Sequence, residues 1–507
     1  MSGKPAHESD TSPVADDAAQ DETLDEPQDE TAQAQQESQA PTSEGPGSSS
    51  SAPDAAEQPD EVSASDAADQ PEKPDATGTP GSAGKPGAKG TSRRAMFTGA
   101  GLGAALAGLA GVAGGRAWEA SRRPEEAILT TYPFRGDHQA GITTPAQDNM
   151  FTAAFDVSTT DVEDLKTLLS EWAVAAEQMT AGELIGGQPS SNKQLPPKDT
   201  GEAWGYKPNG LTITFGVGKG LFVDADGKDR FGLAANMPSF AGDQLHAAQS
   251  DGDLLVQACS NDAQVCVHAI RNLTRIAFGT ATLRWSQVGY GRTSSTSVDQ
   301  ETPRNLFGFK DGTNNIKAED SADQLNKHLW VQKGDDAAAE WMTGGTYYVA
   351  RRIRMLAEIW DRLRLIEQEQ TMGRDKRYGA PLSIANPTKA SEEFTAVDYK
   401  AKDDKGETLV PADAHIAVVS PEQNQGRRML RRGYNYTDGS DSLGQLQTGL
   451  FFIAFVRDPR TNFYPILDRM TKSDALQEYL KHEASALFAI PPGIKEGDTM
   501  VAASLFS

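Results

Sequence analysis

An α+β fold is what this 507-residue chain predicts, and three observations predict it. From about residue 130, runs with strand periodicity and runs with helix periodicity follow one another as β-α-β-β-α-β. A second set in the same order fills the other half. All of this patterning lies behind a long leader that has none. The repeated order is the ferredoxin-like unit, so the body reads as two tandem ferredoxin-like domains, at 130–300 and 301–507.

The leader separates by composition. Residues 1–90 hold 20 Asp and Glu against 4 Lys, a net of −16 out of −24 for the whole chain, and no Phe, Trp or Tyr. Such a segment cannot bury enough apolar surface to offset chain entropy, so a disordered acidic tail is expected. The rest carries only −8 and shows no basic stripe, which argues against a nucleic-acid partner. Only Cys259 and Cys266 occur. That excludes a disulfide-rich scaffold and a cysteine-based zinc or iron–sulfur site; two buried thiols are expected, with one disulfide between them as the alternative.

Residues 91–120 look like a targeting segment. Arg93 and Arg94 precede 21 residues without a charge, Ala95 to Gly115, made mostly of Gly, Ala and Leu. Weak hydrophobicity beside paired arginines predicts twin-arginine export, to the periplasm or outside the cell, with membrane anchoring as the alternative if the segment is not cleaved.

Each element of the body has its own signal. "NMFTAAFDV" alternates like a strand. In the next run Thr160 and Glu163 read as a capping box, and Leu165, Leu168, Leu169, Trp172, Ala176 and Met179 recur at helical spacing. "GLTITFGVG" and "DLLVQAC" read as strands, "DAQVCVHAIRNLTRIA" as a helix and "ATLRWSQVGYG" as a strand. In the second half "GTYYVARRIRM", "HIAVVS" and "GLFFIAFVRD" read as strands. "LAEIWDRLRLIEQEQ" and "NFYPILDRMTKSDALQEYLKH" read as helices, and "SALFAIPPG" closes the chain. The polar stretch from Thr388 to Asp413 reads as an insertion or long loop.

Two stretches carry the chemistry. "NLFGFKDGTNN", Asn305 to Asn315, has the Asp-Gly pair of a tight turn, with Asp311 as turn residue or as acid. Of the 7 histidines no pair has metal-site spacing, but His415 stands in "PADAHIAVVSPEQNQGRRMLRRGYNY", ahead of four arginines.

With "MGRDKRYGAPL" and "GLFFIAFVRD", these stretches occur in the order found in dye-decolorizing peroxidases, and residues from about 130 to 507 resemble that family. The similarity is strongest to its exported branch, associated with bacterial ferrous-iron uptake and also described as deferrochelatases. The resemblance implies two ferredoxin-like domains and one haem b, held mainly by the C-terminal domain. It places the proximal iron ligand on His415, the distal acid–base residue on Asp311 and the charge-stabilising guanidinium on Arg431 rather than Arg432. Gly312, Thr313, Asn314 and Ser420 would line the haem, and Arg374 would meet a propionate. Glu422 stands where relatives often carry a second propionate arginine, a role left to Arg427 or Arg428.

The chemistry needs these residue types. Haem iron takes one strong nitrogen ligand. Peroxide must move a proton between its oxygens, which a carboxylate can do, while a fixed guanidinium stabilises the developing charge. The resemblance therefore implies a peroxidase that takes hydrogen peroxide and a bulky reducing substrate such as a dye or phenol, through a ferryl species. A haem-handling protein that releases iron from porphyrin or serves a ferrous-iron permease is the second reading, and a homo-oligomer is compatible with both. Trp285, Tyr290, Trp330, Trp341, Trp360, Tyr434 and Tyr436 are expected to be core or interface residues, with one or two as electron relays.

Overall fold

The computed structural model describes residues 129–187, 192–222 and 237–506. The acidic tail and the twin-arginine segment lie outside the described residues. The first β-α-β-β-α-β set is β1 (Asn149–Val157), α1 (Val162–Thr180), β2 (Thr212–Gly218), β3 (Leu254–Ser260), α2 (Ala263–Ile276) and β4 (Ala281–Arg292). After α3 (Ala322–His328) come β5 (Thr346–Met355), α4 (Ala357–Trp360), α5 (Leu365–Met372) and α6 (His415–Val418). The chain ends through β6 (Leu430–Arg431), β7 (Tyr434–Ser440), β8 (Leu446–Val456), α7 (Pro459–Asn462), α8 (Tyr464–Ser473) and β9 (Leu480–Ile490).

Each set makes an antiparallel sheet of four strands, ordered β4-β1-β3-β2 in the first and β9-β5-β8-β7 in the second. The two sheets then pair edge to edge. Val217 of β2 lies opposite Ala489 of β9, and Tyr290 of β4 opposite Asn435 of β7. Since β5 also pairs with β8 along its length, the strands close into a ring and each sheet covers the other's edges. The short β6 extends the β7 line along β8, with Leu430 opposite Phe455.

Alternation along the strands sorts two cores. Met150, Ala154, Leu255, Tyr348, Phe451 and Phe488 pack together on one face. Phe155, Ile213, Phe215, Val256 and Val349 lie on the other, against Leu168, Trp172 and Leu273 of the helices. Trp172 also donates its indole N–H to the carbonyl of Leu273 at 2.9 Å, tying α1 to α2. Cys259 and Cys266 are buried free thiols. Trp285, Trp330, Trp360, Tyr434 and Tyr436 are buried core residues, whereas Tyr290 is 43% exposed.

Four expectations are corrected. The cap of α1 is Asp161, whose carboxylate accepts from the backbone N–H of Glu163 at 2.8 Å, not the Thr160 box. "HIAVVS" is not a strand but holds the four-residue helix α6. The run after Met355 breaks into α4 and α5. The run "NFYPILDRMTKSDALQEYLKH" ends its helix at Ser473, and its last three residues already belong to β9. There Asp474 caps the following turn through Leu476 N–H at 2.9 Å.

Gly289 tests the ring's seam. A Cβ there would lie 2.6 Å from Tyr434 Cβ and 2.9 Å from Met150 Cε. Gly289→Val should therefore cost about 1–3 kcal/mol by overpacking, although valine favours strands. A urea unfolding curve measures it, and an unchanged midpoint contradicts the seam.

Candidate active site

A cavity of about 230 Å³ opens on the helix-covered face of the second sheet. Ile353 and Met355 of β5, Leu450 and Phe452 of β8, and Ile466 and Leu467 of α8 give it apolar walls. All of the predicted site residues line it: Asp311, Gly312, Thr313, Asn314, Arg374, His415, Ser420 and Arg431.

The Asp-Gly turn is built for position. Gly312 has φ +86°, and a Cβ on it would come 2.8 Å from the Cα of Ser294. Glycine is thus required by backbone conformation and by the packed Ser294 wall. Asp311 donates its backbone N–H to Pro303 O at 2.9 Å. Its carboxylate accepts from Arg431 Nη1 at 2.9 Å and from Asn305 Nδ2 at 3.4 Å.

Arg431 is fixed from behind by a residue that sequence reasoning passed over. Asn315, 3% exposed, accepts from the backbone N–H of Arg431 at 2.8 Å and donates to its carbonyl at 2.8 Å. The same Nδ2 donates to Ser295 O at 3.0 Å. Arg432 goes elsewhere: fully buried, it donates to the Thr144 carbonyl, Gln147 Oε1 and Thr296 Oγ1. Arg431 lines the cavity and Arg432 does not.

His415 opens α6. Its Nδ1–H donates to Asp474 Oδ2 at 2.7 Å, and the Asp474 side chain is fully buried. Burial would lower the imidazole pKa, but the charge and hydrogen bond of Asp474 and the charge of Asp311 outweigh it, and the net shift is upward. A carboxylate only accepts, so Nδ1 holds the proton and the neutral ring keeps its lone pair on Nε2. Asp474 was not foreseen.

The other residues divide. Arg374 Nη1 donates to the carbonyls of Gly379 at 2.6 Å and Glu393 at 3.0 Å. Ser420 Oγ accepts from Gln423 N–H at 3.2 Å. Arg427 and Arg428 both reach the cavity; Arg428 also lies 3.7 Å from Asp320, while Arg427 Nη1 donates to Asn424 O. The insertion supplies Val397 and Tyr399 to the wall.

The donor set fits a metal carried by a macrocycle. A bare ion needs about three or four protein ligands, and among the described residues no group of three or more His, Cys, Asp or Glu could hold one. One imidazole with a directed lone pair, apolar walls and arginines for carboxylates suit haem instead.

Comparison with known proteins agrees. Models of the N-terminal and C-terminal parts of Dyp-type peroxidases match residues 139–291 and 302–495. The chain belongs to the Dyp-type peroxidase family. A deferrochelatase from Escherichia coli O6:K15:H31 is 37% identical over 385 residues, 74% of this chain and 86% of that one. DtpA from Streptomyces lividans, solved as an oxyferrous/water mixed complex, matches with TM-score 0.68 at 35% identity, over 75% of this chain and 99% of its own. A DyP-type peroxidase from Streptomyces coelicolor gives 0.67 at 36% identity, over 75% and 98%. Membership makes this a haem-binding oxidoreductase that takes hydrogen peroxide and a reducing substrate, on the two-domain ferredoxin-like fold.

A second histidine faces the cavity. His482, 2% exposed, is held down to about 4 by burial and the charge of Arg351, against Asp243. Its folded pKa lies below the unfolded value, so this contribution is fully present above about 6.5 and lost as pH falls through about 4. His482→Gln should therefore lose about 2–3 kcal/mol less stability than the parent between pH 7 and 4, read from urea unfolding at both pH values. Equal losses refute the burial-driven depression.

Proposed function

We propose that this peroxidase holds haem b in the cavity with His415 Nε2 as the iron ligand, and that Asp311 and Arg431 carry the peroxide chemistry. The observation that carries the reading is the Asp311–Arg431 pair at 2.9 Å in the cavity that His415 faces. Bound haem supplies the iron that meets peroxide and stores its oxidising equivalents. The chain's own residues do the rest. Asp474 keeps the proton on His415 Nδ1, so the ring presents one nitrogen in one orientation. Asp311 accepts a proton from one peroxide oxygen and returns it to the leaving oxygen. Arg431 cannot act as that base, because its pKa is too high; it stabilises the charge that develops as the O–O bond breaks. Arg374 and Arg427 meet the propionates. The reducing substrate is a bulky electron donor such as a dye or phenol.

Deferrochelatase activity is the second reading, favoured by relatives of that name at 36–37% identity. Both readings need the same ligand and differ in whether iron leaves the porphyrin. We extend the reading to export through the Arg93-Arg94 segment.

Three outcomes test this. His415→Ala should lose or strongly shift the Soret band, while His268→Ala, whose ring bonds Asp199 at 2.9 Å outside the cavity, should not. Asp311→Asn should keep the resting spectrum and slow the stopped-flow reaction with peroxide by about 10²–10⁴-fold; a parent-like rate removes the acid–base role. Replacing Arg93 and Arg94 by Lys should retain folded, haem-loaded protein in the cytoplasm, and unchanged export contradicts the twin-arginine reading.

A further inference from the structure

The polar insertion does more than cover the site. Within it Glu393 is 4% exposed, although the residues on either side are not buried. Its carboxylate accepts from Lys310 Nζ at 2.5 Å and from Thr313 Oγ1 at 3.3 Å. Its backbone carbonyl accepts from Arg374 Nη1 at 3.0 Å. One residue, from outside the repeated β–α frame, therefore grips both sides of the Asp311-Gly312 pair and the propionate arginine.

Charge gives this grip a chemical consequence. Lys310 immediately precedes Asp311, and its side chain is 14% exposed, against 4% for Glu393. In so buried a place a cation's field is poorly screened. With Glu393 opposite, the pair is close to neutral as seen from Asp311; without it, the ammonium of the residue preceding Asp311 would be unbalanced. The charged groups facing Glu393 are Lys310 and, more distantly, Arg374. Those facing Asp311 are Arg431 in contact and His415 through space.

We propose that Glu393 is a positioning residue for the peroxide reaction: it neutralises Lys310 and so sets the charge under which Asp311 works. This rests on the reading of Asp311 as the acid–base group. A purely structural latch would lose stability when either partner is removed, with no change in the protonation of Asp311. An electrostatic role makes the two removals act oppositely. Glu393→Gln keeps the shape and the contact to Thr313 but leaves Lys310 unbalanced, which favours the ionised form of Asp311. Lys310→Met leaves Glu393 unbalanced, which disfavours it.

The test uses the haem-loaded protein. Stopped-flow rates with peroxide across pH give the acid limb for the parent, Glu393→Gln, Lys310→Met and the double variant. The resting visible spectrum of each variant, recorded without peroxide, checks that haem is loaded. The expected result is an acid limb moved to lower pH by Glu393→Gln and to higher pH by Lys310→Met. The double variant should return to near the parent value. Limbs that coincide with the parent, or that move in the same direction, overturn the proposal. If Glu393→Gln does not fold, Lys310→Met against the double variant decides it, because restoring neutrality must reverse the shift. Asp311→Asn measured alongside separates the two failures. A slow Asp311→Asn with unmoved limbs removes only the role of Glu393, while a parent-like Asp311→Asn removes both.

Discussion

The pairing of β4 with β7 is the constraint on which the active site depends. A ferredoxin-like sheet alone leaves two unpaired edges, and here each sheet supplies the other's missing neighbour. At this seam the ladder continues past the strand end, because Thr293 N–H donates to Gly433 O at 2.9 Å. The chain leaving β4 then enters Thr293–Ser297, all of it buried, and turns back as the Asp311-Gly312 loop. The chain entering β7 carries Arg431. One seam thus delivers both side chains, and Asn315, bonded to Ser295 and Arg431 together, locks the delivery.

The frame was legible in the sequence because it is written locally. "NMFTAAFDV" coincides with β1 residue for residue, and the apolar run of β3 reflects burial on both faces. Helix α1 announced itself by spacing, and only its cap was misplaced, by one residue. The α6 segment was not legible: four helical residues contain barely one turn, and Ile416 with Val418 and Val419 mimics a strand. Asp311, Arg374, His415 and Arg431, far apart in the chain, all line the cavity. Their supports did not show. Asp474 is 59 residues from His415, Glu393 is 83 from Lys310 and Asn315 is 116 from Arg431. No periodic or spacing signal links residues so far apart; the fold alone pairs them.

Apolar walls make those few pairs matter. Ile353, Met355, Leu450 and Phe452 exclude water from the sheet side, so each charge in the cavity is felt more strongly than at the surface. The chain balances most of them locally. Arg351, fully buried, pairs with Asp243; Lys310 pairs with Glu393 and Arg431 with Asp311. Lys317 remains beside the distal loop, donating to Ser295 O at 2.6 Å, and burial with the charges of Arg431 and Arg292 brings its pKa down to about 8.

Two histidines line this cavity, and their partners decide which can bind iron. Arg351 Nε approaches His482 Nδ1 at 3.3 Å. A guanidinium only donates, so Nδ1 must accept and the hydrogen of the neutral ring sits on Nε2. Nε2 of His482 is buried without a hydrogen-bond partner, and as an N–H it has no lone pair to offer. His415 meets a carboxylate at the same ring position, and the logic inverts: Nδ1 donates to Asp474, and Nε2 is left as the base. Burial also keeps His482 neutral, so protonation does not rescue it as a competitor. The same residue type in the same cavity therefore offers a lone pair in one case and an N–H in the other. Distance to the cavity does not separate them; what does is the acid behind one ring and the arginine behind the other.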